Sequence, residues 1–118
     1  MSKKIQQTNS SLFVPSAANS VEPIILDRGL RDSIFNTLWI YPAQGIDNAT
    51  KKLTANVGSV WIGEKTTGAD VTPAELPFDG APFPIQLPPG QNKYIRDVLI
   101  QVDNAADGVW LKWWTDDD

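Results

Sequence analysis

One stretch and its echo most limit what this chain can fold into. Asn56-Val57-Gly58-Ser59-Val60-Trp61-Ile62-Gly63 is a short apolar run bounded by glycine. Gly108-Val109-Trp110-Leu111-Lys112-Trp113-Trp114 repeats the theme near the C-terminus. Side chains alternate across a strand with a period of two. In the first run Val60 and Ile62 therefore share one face, and Ser59 and Trp61 share the other. The 8 glycines and 9 prolines cut the rest into similarly short runs, and no segment keeps a helical period for a useful length. Short alternating runs between turn residues predict about seven or eight strands. The expected class is all-β, a small β-sandwich or jelly-roll-like barrel.

Read in order, residues 1–22 are an extended N-terminal arm, rich in Gln, Asn, Ser and Thr. Such composition buries too little apolar area to offset the entropy of ordering. Its one apolar island is Leu12-Phe13-Val14-Pro15, which packs on the parent domain or docks on a neighbouring chain. Residues 23–118 form the β domain. Ser33 to Tyr41 reads as one strand, with Phe35, Thr37, Trp39 and Tyr41 facing one way and Asn36, Leu38 and Ile40 the other. Thr50 to Val57 alternates like a strand, and Asn56 to Gly63 joins or follows it through a bend at Gly58. Residues 64–84 hold four prolines and two glycines, and the missing donors rule out a central strand there. A loop of that length is usually functional or disordered. Its apolar members Leu76, Phe78 and Phe83 predict packing onto something.

Composition removes several chemistries. With 118 residues the chain fits one domain. It has no cysteine and no histidine, so disulfides, thiolate metal sites and the commonest general base are absent. No cofactor is expected. The net charge of −4 opposes binding to nucleic acid by phosphate neutralisation. No apolar run spans a membrane, and the basic start Met1-Ser2-Lys3-Lys4 leads into polar residues rather than a signal-peptide core. Synthesis in the cytoplasm without an export signal is the expectation.

Catalysis has little to work with. Glu64, Glu75, Asp79 and Asp97 are the candidate carboxylates, and solvated loop charges are their ordinary reading. Asp103-Asn104 with Asp107, or Asp116 to Asp118, could offer oxygens to calcium, but without EF-hand spacing. The five tryptophans are the compositional excess. Trp113 lies one register away from Trp110 and Trp114, so the last strand carries tryptophan on both faces. One face suits a core. The other is expected to meet the long loop, a partner or a stacking ligand such as a sugar ring.

The Asn56–Gly63 block, then Ile85-Gln86-Leu87-Pro88-Pro89-Gly90-Gln91, Val98-Leu99-Ile100-Gln101-Val102 and Gly108-Val109-Trp110-Leu111, resembles a pattern in small virion proteins of tailed bacteriophages. Those include capsid decoration (cement) proteins and head or tail fibre components. The resemblance implies a β-sandwich or jelly roll, often a homotrimer, located in the virion and bound to the major capsid protein or another virion protein. It implies no catalytic residue. The expected partner-binding residues are Leu12, Phe13, Val14, Trp39, Trp61, Trp110 and Trp114. The competing reading is a carbohydrate-binding module that stacks exposed tryptophans on sugar rings.

Overall fold

The computed structural model describes residues 8–64, 74–75 and 81–115. In chain order its strands are β1 (Asn9–Phe13), β2 (Glu22–Pro23), β3 (Ile34–Phe35), β4 (Thr37–Pro42), β5 (Gly45–Ile46), β6 (Leu53–Thr54), β7 (Val60–Glu64), β8 (Ala74–Glu75), β9 (Phe83–Gln86), β10 (Lys93–Tyr94), β11 (Val98–Val102) and β12 (Val109–Trp114). Two short 3-10 turns, Arg28–Leu30 and Ile95–Asp97, are the helical content among the described residues. The chain is all-β, as its punctuation predicts. No helix among the described residues is long and apolar enough to cross a membrane.

Two four-stranded sheets carry the fold, ordered β1-β12-β4-β9 and β2-β11-β7-β8. Every neighbouring pair in them is antiparallel. Each strand of one sheet is linked along the chain to the strand at the same position in the other: β1 to β2, β12 to β11, β4 to β7, β9 to β8. The two sheets share one core. Leu38, Ile40, Leu111 and Trp113 come from the first sheet, and Val60, Ile62, Val98 and Ile100 from the second. In β7, Val60 and Ile62 are buried and Trp61 is only half-buried, as alternation requires.

Prolines sit where the ladder tolerates them. Pro23 is in β2 and Pro84 in β9, both edge strands, where a missing N–H leaves no central bond unmade. Within the 64–84 segment lie β8, which pairs with β7, and the start of β9. Phe83 packs against the core as expected, while Leu76 and Phe78 lie outside the described residues.

Three expectations change. Ser33–Tyr41 is two strands. Phe35, Leu38 and Ile40 are all buried, so the alternation shifts by one residue at Asn36. The Asn36 side-chain amide is directed at the carbonyls of Leu87, Pro88 and Gln91, at 3.3, 3.2 and 3.1 Å, which explains why a polar residue holds a buried position there. Thr50–Val57 is mostly loop. Only Leu53–Thr54 pairs, with β5, and Lys51 adopts a left-handed φ of 61° that no strand residue uses. Strand β7 likewise begins at Val60 rather than at Asn56.

The third change concerns the arm. Asn9 to Phe13 pairs residue for residue with β12, from Asn9 opposite Trp113 to Phe13 opposite Val109. Beyond it Pro15 is buried, and the Asn19 N–H donates to the Val102 carbonyl at 2.7 Å. Glu22 accepts from the Ser16 N–H and hydroxyl and from the Ala17 N–H. The Ser16 N–H is the main cause of a lowered Glu22 pKa, against a smaller opposing effect of burial. Counting apolar side chains overlooked the open backbone edge that β12 offers, onto which a polar segment can add with its own amides. The chain therefore joins the fold near residue 9, not residue 23.

Deleting residues 1–15 should cost stability. It removes β1, bares one edge of β12 and strips half-buried Phe13 from the core margin. A loss of about 2–3 kcal/mol follows from one large side chain and its strand, giving a fall of roughly 5–15 °C in a thermal melt. An unchanged melting temperature would show that β1 is dispensable.

Candidate functional site

Two surfaces stand out, and strand alternation builds the first. Residues directly opposite each other in a ladder share a face. Trp110 pairs with Tyr41 and with Leu12, Lys112 with Trp39 and Ser10, and Trp114 with Thr37. Trp39 pairs in turn with Pro84. The outer face of the β1-β12-β4-β9 sheet thus carries Trp39, Tyr41, Trp110 and Trp114, with Leu12 at its edge. All four aromatics are half-buried and Lys112 is exposed. The Trp39 and Trp114 rings lie 5.4 Å apart at 69°, an edge-to-face pair that forms a corner rather than a coplanar platform.

The expected partner-binding residues do not all gather there. Trp39, Trp110, Trp114 and Leu12 do. Trp61 sits on the outer face of the other sheet, opposite Gln101. Phe13 turns to the core and Val14 lies beyond the strand. Trp113, 1% exposed, fills the core, so the split of tryptophans across β12 falls as alternation predicts. Tyr41 and Lys112 were missed. The signal for Lys112 was present, since it alternates in phase with Trp110 and Trp114.

The second surface is an end of the molecule, organised by Asp107. This residue is fully buried. Its carboxylate accepts from Gln44 Nε2 and the Val57 N–H, each at 2.9 Å, and from the Gly58 N–H at 2.7 Å. Next to it the Asn56 side chain donates to the Gly108 carbonyl at 2.9 Å and accepts from the Gly108 N–H at 3.1 Å. Asp103 accepts from the Ser59 N–H at 2.8 Å. Gly108 has no room for a side chain, because a Cβ there would lie 2.5 Å from the Phe13 carbonyl oxygen. Of the acidic residues read as calcium ligands, Asp103 and Asp107 are thus committed to holding loops, and Asp116 to Asp118 lie outside the described residues. No group of three or more carboxylates suited to a metal ion occurs among the described residues.

The pinned loops display apolar side chains to solvent. Val57, next to Asn56, is 74% exposed, and Val14, which packs on Gly108, is 40% exposed. Leu12 approaches Gly45, and its neighbour Ile46 is also exposed. The candidate carboxylates of catalysis give no comparable cluster. Asp97 is half-exposed in a 3-10 turn, while the Glu64 and Glu75 side chains and Asp79 fall outside the described residues. An open depression of about 490 Å³ between Asn9, Asp32, Ser33 and Thr115 carries no nucleophile with a base, and Asp32 is paired with Arg96.

Burial alone would raise the Asp107 pKa, but the bonds from Gln44, Val57 and Gly58 outweigh it and bring it below 3.8. A carboxylate whose folded pKa is depressed stabilises the fold fully above its unfolded pKa. That contribution fades as pH falls through the folded value. Asp107→Asn should therefore destabilise by about 1–3 kcal/mol near neutrality, since the amide keeps one acceptor oxygen but sets an NH2 donor against the donor that the other oxygen served. It should also flatten the loss of melting temperature below about pH 4. Equal acid sensitivity in both proteins would refute the assignment. The neighbouring Ala106 has φ 76°, a left-handed conformation that costs an L-residue about 1–2 kcal/mol. Ala106→Gly should gain about 0.5 kcal/mol after glycine's greater unfolded entropy, measurable by denaturant titration.

No family model, curated protein or solved structure matches this chain.

Proposed function

We propose that the chain is a structural virion protein that decorates and stabilises a tailed-phage capsid, acting as a symmetric oligomer, a trimer in the first instance. The strand order carries this reading. Two four-stranded sheets joined position for position support a jelly-roll reading, an architecture found in viral capsid domains, lectins and cupins. A shared architecture does not assign a function. The composition narrows it, because a chain with no histidine and no cysteine favours binding over metal or acid-base chemistry.

Attachment is assigned to the Asp107 end. Binding many copies of a repeated surface calls for a rigid contact, since ordering a loose loop on docking would subtract from affinity. Val57 meets that need, being apolar and exposed on a loop that Asp107 holds, and Val14 lies exposed against Gly108, which Asn56 holds. The docking role expected of a free arm passes to this fixed end.

Light scattering on the purified protein and co-sedimentation with capsids that lack it test the proposal together. A trimer that co-sediments is expected, and Val57→Asp should reduce capture at least tenfold while leaving the melting temperature within about 2 °C, because Val57 buries little. A monomer that never sediments with capsids would end this reading.

A further inference from the structure

We propose that the outer face of the β1-β12-β4-β9 sheet binds an acidic saccharide, with Lys112 taking the sugar carboxylate and the surrounding aromatic rings taking the pyranose. The argument begins with charge. The ladder places Ser10, Leu12, Thr37, Trp39, Tyr41, Pro84, Gln86, Trp110, Lys112 and Trp114 on this face, and Lys112 is the one charged residue among them. It is exposed and has no carboxylate partner among the described residues. A lone ammonium framed by Trp39, Trp110 and Trp114 selects an anion that also offers a flat apolar surface.

Three occupants compete, and the geometry separates them. A second copy meeting this face about a twofold axis would bring Lys112 against its own mate in a site the rings have dried, where like charges repel strongly. The patch is also small. Three strand spacings of about 4.8 Å and five residues at about 3.4 Å give roughly 14 by 17 Å, far less than the roughly 800 Å² per partner of a stable interface. An extended peptide gains most of its affinity by pairing with a sheet edge. Here the charge and the rings lie on β12 and β4, which are both central strands with their ladders filled. What remains is recognition by side chains: ring faces, one cation, and the hydroxyl and amide of Ser10 and Gln86. The Trp39–Trp114 corner supplies a floor and a wall for a single ring. This inference does not depend on capsid decoration, since the face is separate from the Asp107 end.

The test uses the full chain and tetragalacturonate, with its methyl ester as the uncharged twin, followed by tryptophan fluorescence and calorimetry. Tetragalacturonate should bind and perturb the fluorescence, and the ester should bind about ten- to a hundredfold more weakly, the value of one charge-assisted bond. Lys112→Gln should remove the preference for the acid and Lys112→Arg should keep it, with unchanged melting temperatures confirming that both variants fold. Trp39→Ala should weaken acid and ester alike. Oligomers of glucuronate and mannuronate widen the panel. No binding across all three acids at millimolar concentration would overturn the proposal. So would acid binding that ignores Lys112→Gln, or a glutamate-rich peptide that binds where the uronates do not.

Discussion

The structure depends on one strand being two-sided. Strand β12 is hydrogen-bonded to β1 on one edge and to β4 on the other, so its backbone is satisfied and its side chains have only the two sheet faces to occupy. Val109, Leu111 and Trp113 go inward and close the core against the second sheet. Trp110, Lys112 and Trp114 then have no choice but the outer face. A slip of one residue would exchange the two sets and bury Lys112 in the place of a core side chain, which no partner there could offset. The pressure that fixes the core therefore also fixes the aromatic surface. Assigning a role to that surface requires no separate positioning device.

At the start of β12 a different interaction takes over. The chain must turn from β11 into β12 while the loop before β7 passes beside it, and both segments expose backbone donors. Asp107 answers the Val57 and Gly58 donors with one buried carboxylate. Asn56 completes the join through both polar groups of Gly108. Loss of either would leave buried amides unpaired, a cost as large as several favourable contacts. Polar groups thus set the rigidity of the loops, and apolar groups such as Val57 are what those loops present.

Much of this was legible in the residues. Period-two alternation around Trp61 and Trp113 sorted the side chains of β7 and β12 into their two faces, and proline placement kept the 64–84 segment from being read as a central strand. What alternation could not convey was where a phase breaks. The shift at Asn36 depends on carbonyls of residues 87–91, distant in sequence and brought near only by folding. The pairing of Asn9–Phe13 was hidden for a related reason. Its stabilisation lies in backbone bonds to β12, and backbone groups are the same in every residue, so a polar composition says nothing about them. Asp107 looked like a turn former or a cation ligand because its three donors come from residues 44, 57 and 58. Lys112 was overlooked because tryptophans draw attention as apolar mass, whereas the strand phase makes the lysine their companion.

The arm and the two surfaces are finally linked by a single economy of edges. Among the described residues the two four-stranded sheets leave four edge strands, β1, β9, β2 and β8. Open edges invite unwanted pairing with other chains. Pro84 blunts β9 and Pro23 blunts β2, which is also only two residues long, as is β8. Strand β1 has no proline and is the longest of the four at 5 residues. Its protection is polarity instead: Asn9, Ser10 and Ser11 give a partner strand no apolar face to pack on, so pairing there would gain backbone bonds without side-chain burial. With its edges disarmed in these ways, the molecule is left to associate through faces and ends. Two such places present exposed aliphatic and half-buried aromatic side chains, and they differ in kind. The Asp107 end offers isolated aliphatic contacts on a stiff frame, suited to a shaped protein surface. The sheet face offers rings around a cation, suited to a ligand that is flat on one side and negatively charged at its rim.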